Sequence, residues 1–139
     1  MGGHGVSPTL LDTHALVWLL QGSGLGQAAK EHIHQAHKAD NLAVCAITFW
    51  EIAILIRKGR LDLGVGAAAW RRSVLALGIQ EFAVDGGIAV ESVDLEALHP
   101  DPADRLILST ALRHDAALVT ADERLLAWEG RVVRIDARR

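Results

Sequence analysis

The chain has 139 residues, the size of one domain. Half of them are apolar, 22% are charged, and 17 acidic against 14 basic side chains leave a formal charge of −3. That composition excludes a disordered chain, and it excludes a protein that holds nucleic acid by bulk positive charge. The longest nearly apolar stretch, residues 42–56, is fifteen residues and is broken by Thr48 and Glu51. A bilayer span needs about 20, so the stretch predicts a buried strand entering a helix.

In chain order, Thr9-Leu10-Leu11 is a short apolar strand ending at Asp12, and Thr13 to Leu20 is a buried helix interrupted by Gly22-Ser23-Gly24. Residues 25–39 form a helix with a polar face. Leu42 to Ala46 is a second buried strand, and Thr48 to Lys58 is a helix stopped by Gly59. A helix over 65–77 leads to a short edge strand, Ile79 to Val84. After Gly86-Gly87 a helix runs to Leu98, and Pro102 opens another to about His114. Ala117 to Val119 is a strand ending at Thr120; a short helix follows, and Val132 to Ile135 is the last strand. Short apolar strands alternating with helices predict a three-layer α/β/α domain with a mainly parallel, roughly five-stranded sheet. One domain covers 1–139, its core at about 9–135. Cys45 has no second cysteine to pair with and reads as inert core. With Met1–Gly5 lacking the basic and apolar regions of a leader, this predicts a cytoplasmic protein.

Asp12, Glu51, Asp104 and Asp122 stand at the ends of the predicted inner strands or in the helices beside them. In an open parallel sheet the strand ends on one side line a crevice where sites form. Two unit charges 4 Å apart repel by about 4 kcal/mol at an effective dielectric of 20, so such a cluster calls for a cation or for protonation. Oxygen-only ligands select a hard ion, magnesium or manganese. Capping accounts for each acid singly. Thr48-Phe49-Trp50-Glu51 and Thr120-Ala121-Asp122-Glu123 fit capping boxes, Asp101-Pro102-Ala103-Asp104 fits an N-cap with proline at the first helical position, and Asp12 fits an N-cap. Capping does not predict that every strand exit but the edge ones carries an acid.

The segments Leu10-Leu11-Asp12-Thr13-His14, Trp50-Glu51-Ile52-Ala53, Asp101-Pro102-Ala103-Asp104-Arg105-Leu106-Ile107 and Leu118-Val119-Thr120-Ala121-Asp122 occur in this order. Together they resemble the PIN-domain ribonucleases, most closely the VapC-type toxins of toxin–antitoxin pairs. The likeness runs from about Thr9 to Ile135, with Asp104 and Asp122 eighteen residues apart as in the family pattern. The resemblance implies one or two Mg2+ ions, with Mn2+ as a substitute, held by Asp12, Glu51, Asp104 and Asp122. It implies cleavage of RNA, often tRNA or ribosomal RNA, with growth inhibition, a homodimer and a cognate antitoxin that neutralises it. Thr13 and Thr120 could support the acids or cap helices.

Arg57, Lys58 and Arg60 form a basic cluster suited to RNA phosphates or to a solvated helix face, and Arg71-Arg72 form a second. Arg105 could orient an acid or contact phosphate. Trp18, Trp50, Trp70 and Trp128 read as core or interface before base-stacking platforms. His32, His34 and His37 lack an i, i+4 metal pair, His14 reads as core, and His99 and His114 receive no chemistry. The competing functions are a PIN-type nuclease of RNA processing or DNA flaps and, more distantly, a receiver-like phospho-acceptor module, which would need a lysine at a late strand end. Lys30, Lys38 and Lys58 are the only lysines, and none is so placed.

Overall fold

The computed structural model describes residues 7–139; the Met1–Gly5 stretch lies outside them. Five strands, β1 (Thr9–Leu11), β2 (Leu42–Cys45), β3 (Gln80–Phe82), β4 (Ala117–Thr120) and β5 (Arg134–Asp136), form one sheet in the order β3-β2-β1-β4-β5. Every pairing is parallel. Seven helices, α1 (Thr13–Gln21), α2 (Gln27–Lys38), α3 (Ile47–Arg57), α4 (Ala67–Ala76), α5 (Gly86–Asp94), α6 (Pro102–His114) and α7 (Glu123–Ala127), cover its faces. The predicted α/β/α architecture is the one observed. A receiver-like domain has the strand order 2-1-3-4-5, which this sheet does not share.

Each face of the sheet has its own core because strand side chains alternate. Leu11, Val44 and Val119 point to one side, among Leu16, Ile33, Phe49, Ile52, Trp70 and Val74. Leu10, Ala43, Cys45 and Leu118 point to the other, among Ile107, Leu108, Ala111 and Leu125. Cys45 is buried in that second core, as expected of an inert thiol. Truncating a fully buried member such as Leu10 or Ile107 to Ala costs about 2–5 kcal/mol.

The sequence places α6 correctly at both ends. Asp101 caps it by accepting from Asp104 N at 3.1 Å, Pro102 occupies its first turn, and Asp115 ends it in the left-handed region. The α5 helix departs from expectation: it includes both glycines and ends at Asp94, four residues before Leu98. Its start is fixed by Asp85, which accepts from Ile88 N at 2.9 Å. Strand β5 begins at Arg134, two residues later than expected. The edge strands also carry acids, Asp85 after β3 and Asp136 at the end of β5, so acids are not confined to inner strand exits.

Candidate active site

Strands β1 and β4 lie side by side with Leu11 opposite Val119, so the residues just beyond them, Asp12 and Thr120, meet at the C-terminal edge of the sheet. Asp12 caps α1, its Oδ1 accepting from Ala15 N at 2.9 Å. The Thr120 hydroxyl donates to Asp12 Oδ2 at 2.5 Å and accepts from Asp122 N at 3.0 Å. One hydroxyl thereby spaces two of the four acids. Asp12 is only 6% exposed, and burial pushes its carboxyl above the usual range even though Thr120 and Ala15 bond it.

Glu51 arrives from α3, one turn beyond Thr48. The capping-box reading of Thr48 and Glu51 fails because α3 begins at Ile47, after Ala46, with no side-chain cap. Both side chains instead meet α1: Thr13 Oγ1 lies 2.5 Å from Glu51 Oε1 and 3.1 Å from Thr48 Oγ1. A threonine hydroxyl has one proton, and a carboxylate is the stronger acceptor, so Thr13 donates to Glu51. Burial raises the Glu51 carboxyl as well, against the lowering effect of Thr13. The capping box at residues 120–123 is likewise corrected: Asp122, not Thr120, caps α7, accepting from Arg124 N at 2.8 Å and Leu125 N at 3.3 Å.

Asp104 sits in the first turn of α6 and faces the same cleft. Burial first, then the charges of Asp101, Asp122, Glu51 and Asp12, push its carboxyl up to about 7. Asp122 moves the other way because hydrogen bonds from Arg124 hold it below the usual range. The cleft, about 320 Å³, is lined by all four predicted acids together with Thr13, His14, Trp18, Asp101, Arg124 and Arg138. His14 is therefore an exposed rim residue rather than a core one.

His99, Arg124 and Arg138 are the chemistry missed in the sequence. His99 Nε2 lies 3.2 Å from Asp104 Oδ2, and ligand atoms of His99, Asp104 and Asp122 fall within 4.8 Å of one another. That nitrogen is buried and has no hydrogen-bond partner among the described residues. Arg124 Nη2 stands 3.0 Å from Asp122 Oδ2 and 3.9 Å from Asp104 Oδ2. The one available signal was position: His99 is two residues before the Asp101 cap and Arg124 two after Asp122.

Arg105 is a correction. It touches no acid of the cleft; its guanidinium donates to the carbonyls of Ser92, Val93, Leu95, Leu98 and His99, at 2.5–3.1 Å. It therefore fixes the segment between α5 and α6. Arg57, Lys58 and Arg60 are exposed at the far end of α3 and do not line the cleft. Arg71 is engaged by Glu81 at 2.7 Å and lies over Phe49. Trp70 is core, Trp18 lines the cleft, and Trp50 is 55% exposed.

A larger groove of about 1070 Å³, beside α1, α2 and the end of α4, is mostly apolar and has Glu31 as its one acid. Of the two, the smaller cleft has the donor set for a hard cation, since several carboxylates converge there and burial with acidic neighbours pushes one up to about 7.

The PIN domain family model matches residues 9–129. The chain is 37% identical over 122 residues to Ribonuclease VapC22 of Mycobacterium tuberculosis, covering 86% of this chain and 91% of that protein. Two solved structures share the fold. A toxin–antitoxin complex from Klebsiella pneumoniae matches with a TM-score of 0.60 and 23% identity, over 93% of this chain and 97% of its own. VapBC2 from Rickettsia felis, bound to a promoter DNA fragment, matches with a TM-score of 0.67 and 15% identity, over 91% and 96%. The motif residues, the strand order and these likenesses agree: the chain belongs to the PIN-domain family.

Proposed function

We propose that this protein is a metal-dependent endoribonuclease, the toxin of a toxin–antitoxin pair, which inhibits growth by cutting RNA until a cognate antitoxin neutralises it. The observation that carries the reading is the meeting of Asp12, Glu51, Asp104 and Asp122 in one cleft, with Asp104 pushed up to about 7 by burial and then by its acidic neighbours. The relationship to Ribonuclease VapC22 supports the choice of RNA as substrate, and the toxin–antitoxin complexes among the structures of like fold support an antitoxin partner.

In this reading the four acids hold Mg2+, with Mn2+ as a substitute, which when bound polarises the scissile phosphate and lowers the pKa of a water nucleophile. Asp12 is held by Thr120 and Glu51 by Thr13, so both carboxylates are oriented before substrate arrives. Thr13 and Thr120 are positioning residues. The carboxylates repel a polyanion, so RNA approaches only once their charge is neutralised. Arg57, Lys58 and Arg60, outside the cleft and exposed, are suited to a flanking stretch of tRNA or ribosomal RNA backbone. The exposed side chains of Trp50, Val90 and Val93 offer apolar surface for a homodimer. The proposed site of action is the cytoplasm, where its RNA substrates are; no helix among the described residues is long and apolar enough to cross a membrane.

The test is cleavage of end-labelled tRNA and ribosomal RNA against flap DNA by the purified chain in Mg2+, with and without EDTA. RNA cutting that EDTA abolishes is expected. Cutting that survives EDTA would overturn the metal, and cutting confined to flap DNA would overturn the substrate.

A further inference from the structure

We propose that Arg124 is a built-in competitor for the metal: its guanidinium holds the same carboxylate oxygens that an ion shared by Asp104 and Asp122 would use, and it must swing out before the ion binds. The inference rests on the metal-dependent reading above and concerns a residue that reading leaves without a role.

The two oxygens of Asp122 have different duties. Oδ1 serves the α7 cap, accepting from Arg124 N at 2.8 Å and Leu125 N at 3.3 Å, and also accepts from Arg124 Nε at 3.3 Å. Oδ2 accepts from no backbone group and is held by Arg124 Nη2 at 3.0 Å. The same Nη2 lies 3.9 Å from Asp104 Oδ2, so one nitrogen stands between the two acids. Magnesium-type ions bind carboxylate oxygens directly, so an ion held by both acids would have to displace that nitrogen. Two cations cannot occupy that gap together.

The guanidinium is also free to leave. Arg124 is 62% exposed, and its side-chain contacts run to Asp122 and Asp104. Arg105 shows the contrast, since its five backbone carbonyls hold it in place. Removing Arg124's charge takes from the metal-free cleft the cation that pairs with Asp122, leaving Arg138 at the lining and the backbone cap of α7 intact. An exposed pair of this kind is a modest opponent, so the competition sets the ion concentration at which the site fills without preventing filling.

Calorimetric titration of MnCl2 into the full chain tests this, comparing wild type, Arg124→Gln and Arg124→Lys, with Asp104→Asn/Asp122→Asn as the variant lacking the site. Circular dichroism establishes that each is folded. Arg124→Gln is expected to bind Mn2+ about two- to fivefold more tightly than wild type, with Arg124→Lys between them. Equal or weaker binding by Arg124→Gln, with wild type still taking up Mn2+, overturns the competitor and leaves the metal reading standing. No uptake by wild type or Arg124→Gln overturns both.

Discussion

The two halves of the cleft solve the same electrostatic problem differently. Asp12, which is buried, and Glu51, which is half-buried, are held by neutral hydroxyls, those of Thr120 and Thr13. Asp104 and Asp122, also half-buried, face charged or chargeable groups, His99 and Arg124. On the first side, hydrogen bonds from the fold offset part of the burial penalty, and Asp12 has a backbone donor from Ala15 as well. On the second, Asp104 accepts no hydrogen bond that lowers its pKa, while burial and four acids raise it. The threonine side is built to orient acids; on the other side Arg124 pairs with Asp122, while burial and neighbouring acids raise Asp104, a charge an ion can offset.

The largest expected effects come from amide substitutions that set the halves against each other. Asp12→Asn and Asp104→Asn should each lower RNA cleavage about a thousandfold, since amides are poor ligands for a hard ion. Metal-free stability should separate them. Asparagine at 12 also removes a carboxylate raised by burial, and it can still accept from Ala15 N, but its amide nitrogen cannot accept from Thr120, which offsets about 1 kcal/mol of the gain. Asparagine at 104 removes a raised carboxylate without losing such a bond, so stability at about pH 8 should rise more there. A gain at 12 equal to or larger than the gain at 104 in thermal denaturation would break the comparison.

The pH dependence of the metal-free protein sharpens it further. Below about pH 4 Asp104 is protonated whether the chain is folded or not. As pH rises from there to about 7 the unfolded chain ionises it while the folded chain holds the proton, so stability falls across this window. Asp12 and Glu51 add to the fall, whereas Asp122, held low by Arg124, contributes oppositely in a window below its ordinary value. Denaturation at about pH 8 should show roughly 2–4 kcal/mol less stability than at about pH 5. Adding Mn2+ should restore it, and Asp104→Asn should flatten the profile. A stability that rises from about pH 5 to 8 in wild type would remove the strain assigned to Asp104.

Much of this arrangement was legible in the sequence. The α6 helix announced itself through Asp101, Pro102 and its apolar face. The inner strands were found as short apolar runs because both their faces are buried. Edge features were harder: β5 starts late, and α5 begins on two glycines because the Asp85 cap and packing against α6 override propensity. The acids could be placed at strand exits, but hydroxyl partnerships spanning 38 and 108 residues, Thr13 with Glu51 and Thr120 with Asp12, depend on the fold. Arg105 misled because adjacency to Asp104 along a helix turns the two side chains about 100° apart. Arg105→Lys should lose most of its five carbonyl bonds and cost about 2 kcal/mol in urea denaturation. The kcat for RNA should stay within about twofold if it only braces the segment between α5 and α6; a large loss of kcat at full stability would return Arg105 to the site.

The smallest expected effects separate the two threonines. Thr120 is fully buried and serves two groups, so Thr120→Val strands the Asp122 amide and removes a donor from Asp12. That should cost about 1–3 kcal/mol in urea denaturation. Thr13→Val deprives Glu51 of one donor and leaves the Thr48 hydroxyl to find another, at about 1 kcal/mol. Serine at either position keeps the hydroxyl and should recover most of the loss. Both valine variants should also weaken Mn2+ binding, because an acid freed from its hydroxyl must be reoriented by the ion. If Thr120→Val proves no costlier than Thr13→Val, the doubly bonded hydroxyl is not what holds Asp12 and Asp122 in register. The spacing of these acids would then have to come from the β1–β4 backbone ladder, where Asp12 N donates to Val119 O at 3.1 Å.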